Sequence, residues 1–176
     1  MQTDEQLMDQ FQKGRREAFD ELFERYRNPI YAFFRRRLNV TARAEDLTQE
    51  TFLVILRGHE RYEPRARFRT YLYAIALKML WTERRKELRE SRHGAPAEEL
   101  PQRSEPAAAI WVRDALAQLQ ADHREILMLR EYEQLSYDDI AELLKIPVNT
   151  VRSRLFRARS EMKTLLQSQD VREASR

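Results

Sequence analysis

Apolar residues recur every three or four positions through most of this chain, and this spacing restricts its fold more than any other feature. The longest series comprises Phe19, Leu22, Phe23, Tyr26, Ile30, Phe33 and Phe34. A step of three to four residues places such side chains on one face of an α-helix. The sequence lacks the sustained two-residue alternation that indicates half-buried strands. The spacing therefore predicts an all-α fold.

Helix-ending signals punctuate the first half of the chain. Thr3 and Gln6 have the spacing of a capping box, and Gly14 follows as a stop, which predicts a short first helix. Pro29 lies inside the long apolar series, so we predict a kink or a break in the second helix there. A third helix is predicted to stop at Gly58.

A stretch without apolar periodicity separates two helical modules. Residues 91–106 hold three of the six prolines and one of the three glycines, and this composition predicts a flexible linker. The linker divides the chain into a first module, residues 1–90, and a second module, residues 107–170. The polar residues 171–176 predict a disordered tail.

The second module has the pattern of a helix-turn-helix. Ser136 and Asp139 have capping-box spacing and open a short predicted helix, and residues 145–147 form a tight turn before a basic helix. That helix turns one apolar side inward and presents polar and basic groups outward. The outward residues are Asn149, Thr150, Arg152, Ser153, Arg154, Phe156 and Arg157. Arginine can fork onto guanine edges, and an aromatic ring can contact a thymine methyl, so the pattern favours major-groove reading. A basic helix that packs on an acidic protein is the alternative.

Positive charge is concentrated in two segments although the net charge is only +3. Residues 61–92 hold ten Lys and Arg against four Glu, and residues 147–163 hold five basic residues against one acidic residue. Two basic segments on an otherwise acidic chain indicate binding to a polyanion, with a solvated helix face as the alternative.

The third predicted helix has a polar stripe with a leucine at its centre. Residues at helical spacing form this stripe: Asp46, Gln49, Glu50, Leu53 and Arg57. It is suited to docking a basic helical partner. A carboxylate metal site is the competing interpretation, but no phosphate-binding glycine loop or histidine pair accompanies the carboxylates. We therefore predict no metal and no cofactor.

The fourth predicted helix interleaves aromatic and basic residues on one side. Tyr73 and Trp81 share this side with Arg84 and Arg85. Rings stack on unpaired bases while guanidinium groups hold phosphates, so the pattern favours single-stranded nucleic acid. The alternative is that Tyr73 and Trp81 complete the helical core against the second helix.

Three segments together resemble the bacterial sigma-70 family. DLTQETF is similar to region 2.2, FRTYLYAIALKMLWTERRK to regions 2.3 and 2.4, and LQADHREILMLREYEQLSYDDIAELLKIPVNTVRSRLFRAR to region 4. Two modules of this length, with a bare linker and without regions 1.1 and 3, resemble the extracytoplasmic-function (ECF) subfamily. The chain departs from the family pattern at Tyr71, Leu77, Lys78 and Thr82.

The resemblance implies a transcription initiation factor whose partners are core RNA polymerase, promoter DNA and an anti-sigma protein. The residues implied to bind core polymerase are Asp46, Leu47, Gln49, Glu50, Phe52 and Leu53. Those implied to bind minus-10 DNA are Arg61, Arg65, Arg67, Arg69, Tyr73, Trp81, Arg84 and Arg85. The outward residues 149–157 would read minus-35 DNA. The segment 59–67 stands where this family holds a flipped non-template base, so the resemblance implies the same role for it.

A DNA-binding regulator and an enzyme are the two alternatives to a transcription initiation factor. A polymerase-independent helix-turn-helix regulator would explain only the second module. An enzyme is disfavoured, because His59, His93 and His123 are the only histidines and none has a recognisable catalytic spacing. His123 lies within an apparent capping box, Asp122 to Glu125, and is expected at the surface. The absence of cysteine and of a membrane-spanning segment fits the cytoplasm.

Overall fold

The computed structural model describes residues 2–63, 67–91 and 107–174. Over these ranges the chain forms α1 (Asp4–Gln12), α2 (Arg16–Arg35), α3 (Thr41–Gly58), a 3₁₀ turn (His59–Arg61), α4 (Phe68–Ser91), α5 (Ala107–Gln118), α6 (Ala121–Glu131), α7 (Tyr137–Leu144) and α8 (Val148–Ala174). No strand occurs in the described ranges, and the predicted all-α class is confirmed.

The chain divides into two compact units, residues 1–100 and 101–176. The predicted linker lies outside the described residues except at residue 91, which ends α4. The tail differs from its prediction, because the backbone of 171–174 continues α8. Extending an existing helix adds one hydrogen bond per residue without a new nucleation step, so a polar segment can remain helical.

In the N-terminal unit, α2 runs without a break through Pro29. A proline removes one backbone donor and crowds the preceding turn. The half of α2 that follows is nevertheless anchored in the core, since Ile30, Phe33 and Phe34 are all 0% exposed. Tertiary packing therefore overrides the local cost, and the predicted break is wrong.

The core of this unit lies where α1, α2 and α3 meet α4. Helix α4 contributes Phe68, Leu72, Tyr73, Ala76, Leu77 and Leu80. Helix α1 contributes Leu7, Met8 and Phe11, so the short first helix belongs to the same core. Its predicted capping box is present, with Thr3 and Gln6 each bonded to the other's backbone.

The turn from α1 to α2 depends on Gly14. The N–H of Gly14 donates to Phe11 O and that of Arg15 donates to Gln10 O, the pattern of a Schellman motif. Gly14 has φ +93°, a left-handed conformation that side chains with a Cβ adopt at a cost.

In the C-terminal unit, α5, α6 and α7 each pack on α8. The Ser136–Asp139 capping box of α7 is confirmed, but α6 starts after Gln120 with no side-chain cap. The predicted box at Asp122 is therefore wrong. Between α7 and α8, Lys145 adopts a left-handed conformation with φ 53°, which forms the predicted tight turn.

We expect Gly14→Ala to lower the free energy of unfolding of the N-terminal unit by about 1–2 kcal/mol, the cost of a left-handed Cβ. The new methyl would meet no atom within 4 Å, so backbone strain alone is tested. Gly58→Ala is the matched control, because Gly58 has φ −104° and its Cβ would make an ordinary 3.9 Å contact with Tyr71 Oη.

Urea unfolding followed by Trp81 fluorescence in a Trp111→Phe background measures this difference. Equal stability losses in the two variants would contradict the assignment of strain to Gly14.

Candidate functional site

The outward face of α3 carries the polar stripe. Asp46, Gln49, Glu50 and Arg57 are exposed, and Leu53 is 42% exposed. An apolar side chain ringed by polar ones has the composition of a small interface centre. The shared exposure of these five residues is what the helical spacing predicts.

Two residues predicted to bind polymerase face the opposite way. Leu47 is 2% exposed and Phe52 is 4% exposed. The Phe52 ring packs edge-on against Phe23 with 4.8 Å between centroids. Leu47 also lines an open groove beside Arg43 and Glu50. The contact with polymerase that the resemblance implies for Leu47 and Phe52 stays a prediction. They support α3 from its inner face.

A cluster of charges ties the stripe to α4. The guanidinium of Arg43 lies 2.7 Å from Glu83 Oε2, 3.3 Å from Glu50 Oε1 and 3.7 Å from Asp46 Oδ2. The Glu83 side chain is 9% exposed and that of Arg43 is 30% exposed. The hydrogen bond from Arg43 holds the pKa of Glu83 below its usual value, against the opposing effect of burial. Arg43 therefore neutralises a nearly buried carboxylate and orients two carboxylates of the stripe.

Sequence reasoning missed both Arg43 and Glu83. Arg43 precedes Asp46 by three residues and Glu50 by seven, so helical spacing offers a signal for that half of the cluster. Glu83 is forty residues from Arg43, and only the packing of α4 on α3 brings the two together.

Tyr73 lies in the core and not on the predicted DNA-facing side. It is 1% exposed, and its ring centroid lies 5.6 Å from that of Phe33 on α2. The predicted outward placement of Tyr73 is wrong, and the alternative interpretation, that it completes the core, describes this residue. Leu77, one of the departures from the family pattern, is 1% exposed and belongs to the same core.

The outer surface of α4 keeps the other predicted features. Trp81 is 44% exposed, so it does not complete the core as the alternative proposed. Lys78, Thr82 and Arg85 are exposed beside it, and Arg85 Nη2 donates to Thr82 Oγ1 at 3.3 Å. Arg84 is half-buried on this helix.

The predicted basic residues before and at the start of α4 differ in exposure. Arg61 and Arg67 are exposed. Arg69 is half-buried, with its guanidinium carbon 5.9 Å from the centroid of the Tyr73 ring. Arg65 lies outside the described residues.

Helix α8 presents the predicted outward face. Asn149, Arg152, Ser153, Phe156 and Arg157 are exposed, and Thr150 and Arg154 are half-buried. Phe156 is 75% exposed, which is unusual for a phenylalanine with no binding role. The opposite side packs through Val151, Leu155 and Ala158, each at most 1% exposed.

Ion pairs distinguish the arginines of this helix. Arg154 Nη1 lies 3.0 Å from Asp122 Oδ2, and Arg159 Nη2 lies 2.6 Å from Glu131 Oε1. Among the described residues, no acidic side chain pairs with Arg157. Arg152 likewise has no acidic partner within the described ranges, and its Nη1 donates to Asn149 Oδ1 at 3.4 Å. Arg157 and Arg152 are therefore the arginines of this face that are available to an external anion.

His123 is buried, contrary to its prediction. It is 8% exposed, and its Nδ1 lies 3.2 Å from Glu161 Oε1 on α8. Because the start of α6 packs against α8, the side chain turns inward instead of capping a free helix end.

An apolar groove of about 460 Å³ opens between α5, α6 and α8 in the C-terminal unit. Its floor is formed by Val112, Leu116, Leu127, Met162 and Leu166. The Glu131–Arg159 ion pair and Tyr132 lie at its rim.

Comparison with known families accounts for both units. Residues 22–90 match Sigma-70 region 2, and residues 109–162 match Sigma-70, region 4. The chain belongs to the sigma-70 family. Sigma factors are transcription initiation factors and not enzymes.

Curated relatives place this sigma factor in the ECF subfamily. It is 35% identical to RNA polymerase sigma factor CarQ of Myxococcus xanthus, over 90% of this chain and 95% of the relative. It is 31% identical to the ECF RNA polymerase sigma-E factor of Haemophilus influenzae, over 94% of this chain and 96% of the relative.

Solved structures share the fold. A sigma factor RpoE from Bartonella quintana, solved with the anti-sigma factor NepR, aligns with a TM-score of 0.72 and 24% identity, over 86% of this chain and 98% of that one. CnrH, solved with the cytosolic domain of CnrY, aligns with a TM-score of 0.72 and 23% identity. The alignment covers 92% of this chain and 96% of CnrH.

The described ranges contain no group of three or more His, Cys, Asp and Glu side chains able to hold a metal ion. None of the helices there combines the length and the apolar content needed to cross a membrane.

We expect Glu83→Gln to lower the free energy of unfolding at pH 7 by about 1–3 kcal/mol, the worth of a charged hydrogen bond. The folded pKa of Glu83 lies below the ordinary value of 4.5. The contribution of the carboxylate is therefore complete above pH 4.5 and is lost as the pH falls through the folded pKa. The difference in the free energy of unfolding between Glu83→Gln and the wild type should therefore become smaller below pH 4.5.

Urea unfolding at pH 7 and at pH 3 measures this change. Glu87→Gln, an exposed glutamate on the same helix, is the control and should have little effect at either pH. A Glu83→Gln loss that is the same at both pH values would contradict the ion-pair assignment.

Proposed function

We propose that this sigma factor binds core RNA polymerase through the exposed stripe of α3, centred on Leu53. The observation that carries this proposal is the stripe itself, in which a 42% exposed leucine lies among exposed carboxylate and amide groups. Arg43 supports it, because the guanidinium orients Glu50 and Asp46 without covering Gln49 or Leu53. A basic helical partner would meet both the carboxylates and the leucine.

We propose that the outer surface of α4 contacts the opened minus-10 strand. Trp81 offers an exposed ring beside the exposed Arg85, and stacking of one base on such a ring is worth about 1–3 kcal/mol. Arg61 and Arg67 are also exposed and could hold phosphates. The burial of Tyr73 leaves Trp81 as the aromatic centre of this surface.

We propose that the N-terminal half of α8 reads minus-35 DNA in the major groove. Its exposed Phe156 supplies an apolar contact to a base edge, and the exposed Arg157 on the same face supplies a cation for a phosphate. Asn149 and Thr150 lie in the first turn of α8. The Thr150 N–H donates to Pro147 O at 2.9 Å, so the amides that can meet a phosphate are those of Val148 and Asn149. Asp122 holds Arg154 partly away from this face, so Arg154 has to exchange a carboxylate for DNA.

We further propose a cytoplasmic location and an anti-sigma partner. The RpoE structure solved with the anti-sigma factor NepR has the same fold, and the apolar groove of the C-terminal unit offers a surface to such a partner. The alternative of a polymerase-independent regulator would leave the α3 stripe and the match to region 2 without a use.

We expect the double variant Gln49→Ala with Leu53→Ala to bind core polymerase at least about tenfold more weakly, because truncating a central interface residue commonly costs 1 kcal/mol or more. Discrete run-off transcripts seen with the wild type should be lost in parallel. The control is Glu24→Ala with Asn28→Ala, which truncates two exposed residues of α2. Wild-type core affinity in the first variant would refute the proposed docking surface.

We expect Arg157→Ala to reduce the slope of log affinity against log salt concentration by about 1, the effect of one lost phosphate contact. Fluorescence anisotropy of the holoenzyme on a minus-35 duplex measures the slope. Arg159→Ala is the matched control, because Glu131 already neutralises Arg159. If the two variants change the slope equally, the proposed DNA face is wrong.

A further inference from the structure

We propose that α1 is a positioning element for promoter opening, in which Gln12 and Glu5 fix the two ends of the segment joining α3 to α4. The inference rests on the proposed role of that segment in binding the minus-10 strand. Neither residue lies in the α3 stripe, on the outer surface of α4 or in the family's matched motifs.

Gln12 holds the start of the segment. Its Nε2 donates to the carbonyl oxygen of His59 at 2.8 Å and to that of Tyr62 at 2.8 Å. A side-chain amide has two N–H donors, and both are used on the same short turn. These bonds fix the backbone on both sides of Arg61, whose side chain is exposed.

Glu5 holds the end of the segment. Its Oε1 accepts a hydrogen bond from the backbone N–H of Phe68 at 3.1 Å. Phe68 is the first residue of α4, where backbone donors have no partner within the helix and the helix dipole favours a negative charge. Glu5 thus caps α4 from another helix, beside the exposed Arg67.

Glu5 and Gln12 are seven residues apart and therefore lie on the same face of α1. Tyr62 lies near both residues. Its carbonyl accepts from Gln12 Nε2, and burial together with the Glu5 carboxylate raises the pKa of its hydroxyl to about 12. The ring of Phe11 also contacts the ring of His59, with 4.4 Å between centroids. One helical face thus makes aromatic and polar contacts with the segment.

Helix α1 is itself held against α2. Asp4 Oδ1 lies 2.7 Å from Arg25 Nη1, and the Tyr26 hydroxyl donates to the other oxygen of Asp4. Leu7 and Met8 are at most 1% exposed in the core. The position of α1 is therefore determined by the bundle, and α1 in turn holds the backbone of His59, Tyr62 and Phe68 at the described ends of the segment.

The physical gain is preorganisation. Ordering a backbone residue costs conformational entropy, and this cost opposes DNA binding if the residue becomes ordered only during promoter opening. Gln12 and Glu5 hold the two ends of the segment before DNA binds. Arg61 and Arg67 can therefore contact the DNA without this loss of backbone entropy. Plain core packing by α1 would require only Leu7, Met8 and Phe11.

The test compares Gln12→Glu with Gln10→Glu in complete holoenzyme. Both variants add the same charge to α1, but only the first replaces the two donors with a carboxylate that faces two carbonyl oxygens. Gln10 contacts Arg15 and not the segment, and its acceptor is retained as glutamate. Gln12→Met, which has similar length and no donor, is the second variant if Gln12→Glu folds poorly.

The readouts are core-polymerase affinity and the fluorescence of 2-aminopurine placed in the non-template strand of the minus-10 element. We expect Gln12→Glu and Gln12→Met to slow the fluorescence rise about tenfold, the effect of losing two hydrogen bonds, with core affinity unchanged. Gln10→Glu should behave as the wild type in both assays.

Two outcomes would overturn the inference and can be told apart. Normal opening by both Gln12 variants, or equal slowing by Gln10→Glu, would overturn the positioning role of α1 alone. A wild-type holoenzyme that initiates at discrete sites without any minus-10 signal would overturn the proposed role of the segment, and this inference with it.

Discussion

Burial of α4 is the constraint on which the N-terminal unit depends. Phe68, Tyr73, Leu77 and Leu80 enter a core shared with α1, α2 and α3, so the helix cannot rotate without exposing several large apolar side chains. This fixed orientation determines which groups remain outside. Trp81 and its basic neighbours face solvent because the apolar side chains on the other side of α4 are buried in the core. The surface available to nucleic acid is therefore a consequence of the core.

Polar contacts between helices connect this core to the functional surfaces. Arg43 joins the α3 stripe to Glu83 on α4, and Glu5 and Gln12 join α1 to the segment before α4. All of these contacts use charged or amide groups at the edge of the core. Such contacts add less stability than apolar burial, but they specify direction, since a hydrogen bond depends on angle as well as distance. Surfaces that must bind a partner in a defined geometry gain from such support.

The C-terminal unit separates charge that is neutralised internally from charge that is available to DNA. Asp122 and Glu131 pair with Arg154 and Arg159, at the two sides of the outward face of α8. Arg157 and Phe156 between them remain exposed. Because Arg154 and Arg159 are paired, the face attracts a polyanion less strongly in general. Contact with DNA then depends on the residues at the centre of the face. This arrangement agrees with a factor that binds promoters as part of a holoenzyme.

Residue spacing was enough to predict the helical class, the two modules, the capped starts of α1 and α7, and the outward face of α8, because these features depend on positions within single helices. It failed where two neighbouring helices enclose a third. Tyr73 and His123 are buried by partners distant in sequence, and Pro29 is tolerated because packing outweighs the lost hydrogen bond. The contacts from Arg43 to Glu83 and from Gln12 to Tyr62 span forty and fifty residues. Only the tertiary structure could decide them, since local periodicity contains no information on which helices become neighbours.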